Sequence, residues 1–100
     1  MIRIEFLPNS IIEIDTIADY YLKKVGALSA QRIVNKIMNA IENLKEFPLI
    51  APKIHDEQLS KEGYRILIVD EFICIYRFID NVIYIYHIAN GRTEYKNLIY

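Results

Sequence analysis

The feature that most constrains the fold lies in the second half of the chain. Runs rich in β-branched and aromatic residues occupy positions 64–69, 72–79 and 82–89, and only Asp70-Glu71 and Asp80-Asn81 separate them. Such runs are typical of strands. A polar pair is long enough to close a hairpin, and aspartate and asparagine tolerate left-handed turn geometry. The sequence therefore predicts a three-stranded antiparallel meander.

The first half of the chain begins with one more strand and then changes to helical periodicity. Residues 2–7 alternate apolar and charged side chains, which predicts a half-buried strand. Ser10 and Glu13 fit a capping box at the start of a helix, and Gly26 is expected to end that helix. Its apolar stripe is formed by Ile14, Ile17, Tyr21 and Val25.

A second helix is predicted to start near Ser29 and to end at Phe47-Pro48. Its apolar stripe consists of Ile33, Ile37, Ile41 and Leu44. About three residues would join the two helices into an antiparallel hairpin. The predicted class is α+β, in the order β-α-α-β-β-β, with the helical hairpin packed on a small antiparallel sheet. At this length, residues 1–100 are expected to form one domain.

The register of the meander follows from the two short turns and predicts two apolar faces. If Val69 opposes Phe72 and Ile79 opposes Val82, one face carries Arg65 and places His87 across from Cys74. The apolar members of this face include Leu67, Val69, Phe72, Tyr76 and Phe78. Two helices can cover only one face of a sheet. We therefore expect the face that the helices leave, which could be either of the two, to be partly exposed and to accept a partner chain.

Composition excludes several classes of function. A net charge of -1 argues against tight, non-specific binding to nucleic acid. The single cysteine, Cys74, excludes an internal disulfide and a multi-cysteine zinc site. Ligand clusters and phosphate-cradling glycine loops are missing, so neither a metal nor another cofactor is expected. Without a signal peptide or a long apolar run, the chain is expected to be cytoplasmic and not membrane-bound.

Histidine and arginine side chains are the candidates for chemistry. His87 could act as a general acid or base near neutral pH, although a structural role is favoured for a strand histidine among apolar neighbours. Arg65, Arg77 and Arg92 could bind phosphates through forked hydrogen bonds or pair with the carboxylates of a partner. For Arg77, which lies between tyrosines, stacking or an internal ion pair is the favoured interpretation.

Several stretches together resemble the RelE/ParE toxin superfamily, and most of all its ParE, or plasmid-stabilisation, branch. They cover nearly the whole chain and are residues 10–22, 30–37, 40–48, 64–67, 75–78 and 88–95. The resemblance implies the toxin of a type II toxin–antitoxin module, neutralised by a cognate antitoxin in a hetero-oligomer. The apolar residues Leu67, Val69, Phe72, Tyr76 and Phe78 are then the predicted antitoxin surface.

The superfamily contains two toxic activities. RelE-like members cleave messenger RNA on the ribosome without a metal, whereas ParE-like members are associated with inhibition of DNA gyrase. If the chain were such a nuclease, the resemblance would make Arg65, His87, Arg92 and Tyr95 its catalytic candidates. RelE-like enzymes carry a basic residue at the position of Ile73, and the frequent His-Gly-x-Arg ending of the family reads Asn90-Gly91-Arg92-Thr93 here.

RNA cleavage of this kind needs a base, an acid and positive charge at the phosphate. The sequence supplies the charge but no convincing acid–base pair, so the leading hypothesis is a ParE-like, non-enzymatic toxin. Such a toxin would bind a protein target, DNA gyrase being the one that the resemblance suggests. A ribosome-dependent endoribonuclease and an inactive binding module remain the alternatives.

Overall fold

The computed structural model describes residues 1–99, except the side chains of Tyr95 and Lys96. The elements, in chain order, are β1 (Arg3–Phe6), α1 (Pro8–Val25), α2 (Ala27–Glu42), a 3-10 turn (Asn43–Lys45), α3 (Glu57–Lys61), β2 (Arg65–Val69), β3 (Phe72–Ile79), β4 (Val82–Asn90) and α4 (Tyr95–Ile99). The predicted order β-α-α-β-β-β is confirmed, and two short helices, α3 and α4, are added to it.

Helix α1 starts at Pro8 and not at a capping box. Proline suits the first helical position because its fixed φ is helical and its missing N–H would have no partner there. The Ser10 hydroxyl donates to the Leu7 carbonyl oxygen at 2.7 Å and caps no N–H group. The carboxylate of Glu13 is used elsewhere, on β4. The capping-box prediction is therefore wrong.

The two long helices are joined by Gly26 alone, not by about three residues. Gly26 has φ +93°, which side chains rarely tolerate, and its N–H donates to the Leu22 carbonyl oxygen at 3.2 Å. The glycine ends α1 as expected, and α2 begins immediately afterwards at Ala27. The result is a tight antiparallel hairpin.

The sheet has four strands in the order β1-β4-β3-β2. The strands β2, β3 and β4 form the predicted antiparallel meander, with positive φ at Asp70, Asp80 and Asn81 in its turns. Strand β1, however, pairs parallel with β4, so the sheet is mixed rather than antiparallel. A long crossover lies between these two strands, and such a connection permits parallel pairing.

The helical hairpin covers one face of the sheet. The predicted stripe of α2 is confirmed, since Ile37, Ile41 and Leu44 are each 1% exposed. Side chains from the sheet that join them in this core are Val69, Phe72, Cys74, Tyr76, Ile83, Ile85 and Ile88. From α1, Ile14, Ile17 and Tyr21 pack against the edge of the same cluster, whereas Val25 is half exposed.

The opposite face is covered in part by the chain itself, and the expected partial exposure is confirmed at Ile68, which is 68% exposed. The connector between α2 and β2 contributes Ile54 and Leu59, which are buried against Tyr64 and Ile75. Leu98 and Ile99 of α4 pack against this second cluster. Asp56 caps α3 by accepting a hydrogen bond from the Leu59 N–H at 3.0 Å. Apolar residues of the connector and of α4 thus cover the middle of this face without any periodic pattern.

A bulge in β4 shifts the predicted register. Tyr76 pairs with Ile85, but the preceding residue of β3, Ile75, pairs with His87, so Tyr86 is the extra residue. Beyond the bulge Cys74 faces Ile88 instead of His87, and Ile88 joins the core under the hairpin. The expected pairing of His87 with Cys74 is therefore wrong, because one inserted residue moves every later side chain of the strand.

Candidate functional site

Arg65 holds the connector in place. Its Nη1 donates to the carbonyl oxygens of Ala51 at 2.7 Å and Leu49 at 3.3 Å. Its cross-strand neighbour Tyr76 donates its hydroxyl to the Pro48 carbonyl oxygen at 2.9 Å. These contacts give the Arg65 guanidinium a structural role at the start of β2.

Arg92 lies at the other end of the sheet from Arg65. It comes two residues after Asn90, the last residue of β4. Asn90 pairs with Phe72 of β3, and Phe72 also pairs with Val69 at the end of β2. Arg65 begins β2 four residues before Val69, which corresponds to about 13 Å along a strand. The structure therefore does not bring the two predicted phosphate-binding arginines together.

His87 is tied to α1. Its Nδ1 lies 3.1 Å from both carboxylate oxygens of Glu13, and Glu13 Oε1 also accepts a hydrogen bond from the Ile88 N–H at 3.2 Å. The side chains of His87 and Glu13 are 12% and 24% exposed, so the pair is largely shielded from water. This contact joins α1 to the part of β4 beyond its last pair with β1, Phe6 with Ile85. The sequence did not identify Glu13 as the partner of His87, because the residue had been assigned to a capping box with Ser10.

The last catalytic candidate, Tyr95, begins α4, and its side chain lies outside the described residues. Among the described residues no hydrogen bond or ion pair joins Arg65, His87 and Arg92 to one another. Arg77 takes the structural role that was favoured for it. Its guanidinium carbon lies 4.7 Å and 5.1 Å from the ring centres of Tyr64 and Tyr86, and its Nε donates to the Tyr86 hydroxyl at 2.9 Å.

The five residues predicted to bind the antitoxin lie on the face under the hairpin. Val69 and Phe72 are 7% and 6% exposed, Tyr76 is fully buried, and Leu67 and Phe78 are partly buried against the same core. In the folded chain this set is part of the core and not an open docking surface, because the hairpin occupies it. The edge of the set, at Val69 and Phe72, lines a cleft.

A large cleft lies at this edge, and we call it the sheet-end cleft. It has a volume of about 650 Å³ and opens between α1, the β2–β3 turn and the end of β4. Its lining residues are Thr16, Ile17, Tyr20, Tyr21, Lys24, Asp70, Glu71, Phe72, Asn90, Gly91 and Arg92. Of these, sequence reasoning had singled out Arg92 and Phe72 as site residues but not the tyrosine pair or Lys24.

The sheet-end cleft has aromatic and charged walls. Tyr21 packs edge-on against Tyr20 and Phe72, with ring centres 5.0 Å and 6.0 Å apart. The Tyr21 hydroxyl donates to Glu71 Oε1 at 3.4 Å, and Lys24 Nζ donates to the Tyr20 hydroxyl at 2.8 Å. Burial, reinforced by Glu71, raises the pKa of Tyr21, so its hydroxyl stays protonated and can donate. The spacing of Tyr20 and Lys24 on one helix face was the signal that could have identified this wall.

The part of the chain that the structure describes contains no group of histidine, cysteine or carboxylate side chains that could hold a metal ion. Nor does any of its helices have the length and apolar character needed to cross a membrane.

The helical hairpin, the mixed sheet and the strand order define a small α+β protein of the RelE/ParE toxin type. The family described as "ParE toxin of type II toxin-antitoxin system, parDE" matches residues 4–95. The chain therefore belongs to the ParE toxin family, which confirms the resemblance. Among solved structures it is similar to the "Chromosomal ParDE TA system from P. aeruginosa", with 21% identity and a TM-score of 0.76 over 90% of this chain and 96% of that chain. No curated protein matches significantly.

Proposed function

We propose that this chain is the growth-inhibiting toxin of a type II toxin–antitoxin pair and that it acts in the cytoplasm by binding DNA gyrase. A cognate antitoxin would hold it inactive in a hetero-oligomer. The observation that carries the proposal is the ParE family match, which spans residues 4–95. The ParDE system named for the similar P. aeruginosa structure supports an antitoxin as the partner.

The positions of the nuclease candidates favour protein binding over RNA cleavage. A metal-free nuclease needs an acid, a base and positive charge around one phosphate. Here the guanidinium of Arg65 is bound to two carbonyl oxygens of the connector, and Arg92 is about 13 Å away along the strand direction. The remaining candidate with described contacts, His87, uses Nδ1 on Glu13. These arrangements support a non-enzymatic toxin.

Tightly regulated expression in a bacterial host tests the proposal. Expression of the toxin alone is expected to arrest growth, and co-expression of the antitoxin gene next to it is expected to restore growth. Purified toxin should inhibit DNA supercoiling by purified gyrase in a dose-dependent way, and added antitoxin should relieve the inhibition.

Two other outcomes would contradict the proposal. Fragmentation of translated messages with unchanged supercoiling, abolished by Arg92→Ala, would indicate the ribosome-dependent endoribonuclease. Normal growth at toxin levels that are verified by immunoblot would indicate an inactive binding module. Arg32→Ala is a matched control for Arg92→Ala, because Arg32 is also exposed but lies on α2, outside the set of nuclease candidates.

A further inference from the structure

The charges of the sheet-end cleft are unevenly satisfied. Asp70 is neutralised by Lys36 at 2.7 Å, whereas Glu71 accepts the neutral Tyr21 hydroxyl and keeps its charge. The two cations of the cleft do not have carboxylate partners. Lys24 donates to the neutral Tyr20 hydroxyl, and no described carboxylate lies within salt-bridge distance of Lys24 or Arg92. Lys24, Arg92 and Glu71 thus have no salt bridge among the described residues, and with two cations against one carboxylate the cleft has an excess of positive charge to offer to a ligand.

The two cations stand on different walls, and apolar surface belongs to the same cleft. Lys24 is carried by α1 and Arg92 by the segment after β4, while Ile17, Tyr20 and Phe72 also line the opening. Tyr20 is 52% exposed, so part of its side chain can still contact a ligand, while Lys24 Nζ lies 5.1 Å from its ring centre. A ligand that combines an apolar anchor with carboxylates would match both kinds of wall.

The wall that carries Arg92 is fixed by backbone contacts. The Gly91 N–H donates to the Glu71 carbonyl oxygen at 2.7 Å, and a Cβ added at Gly91 would lie 3.1 Å from that oxygen. The Arg92 N–H donates to the Asn90 side-chain oxygen at 2.9 Å. Because the end of β4 is held against the β2–β3 turn, the backbone of Arg92 is already positioned before a ligand arrives.

We propose that the sheet-end cleft binds an acidic, extended segment of the antitoxin. An aliphatic or aromatic side chain of that segment packs on Ile17, Tyr20 and Phe72, and its carboxylates pair with Lys24 and Arg92. The inference rests on the proposed function, since it requires that a cognate antitoxin binds this chain. It assigns that binding to a place other than the buried face under the hairpin.

Charge favours a peptide over a nucleic acid as the occupant. Asp70 and Glu71 line the same cleft as the two cations. A polynucleotide carries its phosphates at a fixed spacing and would meet these carboxylates. A peptide can carry carboxylates opposite Lys24 and Arg92 and uncharged groups opposite Asp70 and Glu71. In addition, the net charge of -1 gives the chain no general attraction for nucleic acid.

The test compares the affinity of charge-reversal variants for purified antitoxin. We expect Lys24→Glu and Arg92→Glu each to weaken binding about 10-fold or more, and the double variant to weaken it by about 100-fold. Lys23→Glu is the matched control, because it makes the same change one residue away on α1 but outside the cleft. This control should bind like the wild type. All the variants are exposed and should keep the thermal midpoint of the wild type.

A synthetic peptide covering the acidic segment of the antitoxin provides a second readout. It should bind the wild-type toxin, and the peptide with glutamine in place of its glutamates should bind at least 10-fold more weakly. Replacing a contacting acidic residue of the antitoxin by lysine should restore affinity for Lys24→Glu.

Three results would overturn the inference. If both cleft variants bind antitoxin as tightly as Lys23→Glu, the antitoxin docks elsewhere, although the proposed function stands. If short RNA or DNA oligonucleotides bind and the cleft variants abolish that binding alone, the cleft is a nucleic-acid site. If the wild-type toxin binds no antitoxin at all, the proposed function fails together with this inference.

Discussion

The two faces of the sheet pack against different kinds of structure, and the second face is covered only in part, since Ile68 is 68% exposed. Two long helices with continuous apolar stripes cover one face, and a five-residue helix, extended chain and α4 cover the other. The first cover follows helical periodicity, whereas the second depends on Ile54 and Leu59, which are 2% and 0% exposed. A face can thus be buried by a few well-placed side chains without any regular pattern.

The helical hairpin and the connector, which pack on opposite faces of the sheet, should also differ in stability. The core under the hairpin combines side chains from both long helices and all four strands. The second cluster is smaller, and the connector is held to β2 by local backbone bonds such as Ile54 N–H to the Tyr64 carbonyl oxygen at 3.0 Å. Segments with few buried contacts open at lower free energy than the global unfolding reaction. The connector side is therefore expected to open first.

The largest effect is expected on the hairpin side. Ile37→Ala should lower the free energy of unfolding by about 3–4 kcal/mol, because it leaves a cavity in the larger core. Urea denaturation followed by circular dichroism measures the change. Ile12→Ala is the control, since Ile12 is 63% exposed, and it should cost less than about 0.5 kcal/mol. A loss below about 1 kcal/mol for Ile37→Ala would mean that the hairpin side is loosely packed.

Leu59→Ala should have the next largest effect, about 2–3 kcal/mol, because a smaller cluster next to a loop can collapse into the space. Hydrogen exchange sharpens the comparison. The amides of Ile54 and Tyr64 should exchange faster in Leu59→Ala, while amides of β3 and β4 stay protected. Gln58→Ala, an exposed neighbour, is the control. Uniformly faster exchange would show that both faces open as one unit.

On the connector side, the contacts between Arg77 and Tyr86 should contribute less to the free energy of unfolding than the Leu59 side chain does. Tyr86→Phe removes the hydroxyl that accepts from both Nε and Nη2 of Arg77 but keeps the ring beside the guanidinium. We expect a loss of about 1 kcal/mol in unfolding free energy, because these hydrogen bonds to a charged group lie at a partly exposed site. Tyr84→Phe is the control, as no described hydrogen bond uses its hydroxyl. Equal losses in both variants would assign the effect to packing and not to the Arg77 contact.

The last comparison needs no change in the native contacts of its reporter, because it follows the rate at which Cys74 is labelled. Burial raises the pKa of this thiol well above its usual range, and the side chain is 1% exposed under the hairpin. A neutral thiol reagent should therefore label Cys74 only when the hairpin side opens. Ile37→Ala should accelerate labelling strongly, whereas Leu59→Ala should change it little. Similar acceleration by both variants would contradict separate opening of the faces.

Much of the fold could be predicted from the sequence because its strongest features are local. Helical stripes, the glycine at position 26 and the polar pairs at 70–71 and 80–81 act within a few residues, and the structure contains each of them. The parallel pairing of β1 with β4 was missed because it joins elements at the two ends of the chain. No short-range pattern specifies such a pairing.

The candidate site was less predictable. Arg65 and Arg92 looked alike as strand arginines, but one is bound to connector carbonyls and the other lines the cleft. Tyr21 fitted the apolar stripe of α1, so its contact with Glu71 across the molecule gave no separate signal. A site made of side chains from distant segments is visible only when the packing has brought the segments together.

By itself, the sequence determined the two long helices, the four strands, the turns of the meander and their order, because amphipathic periodicity and turn geometry are encoded locally. The tertiary structure decided what covers the second face, which partner His87 has, and that Lys24, Glu71 and Arg92 share a cleft. The physical reason is register. One extra residue at Tyr86 reverses the facing of the later part of β4, and only the packing of the whole chain selects that bulge.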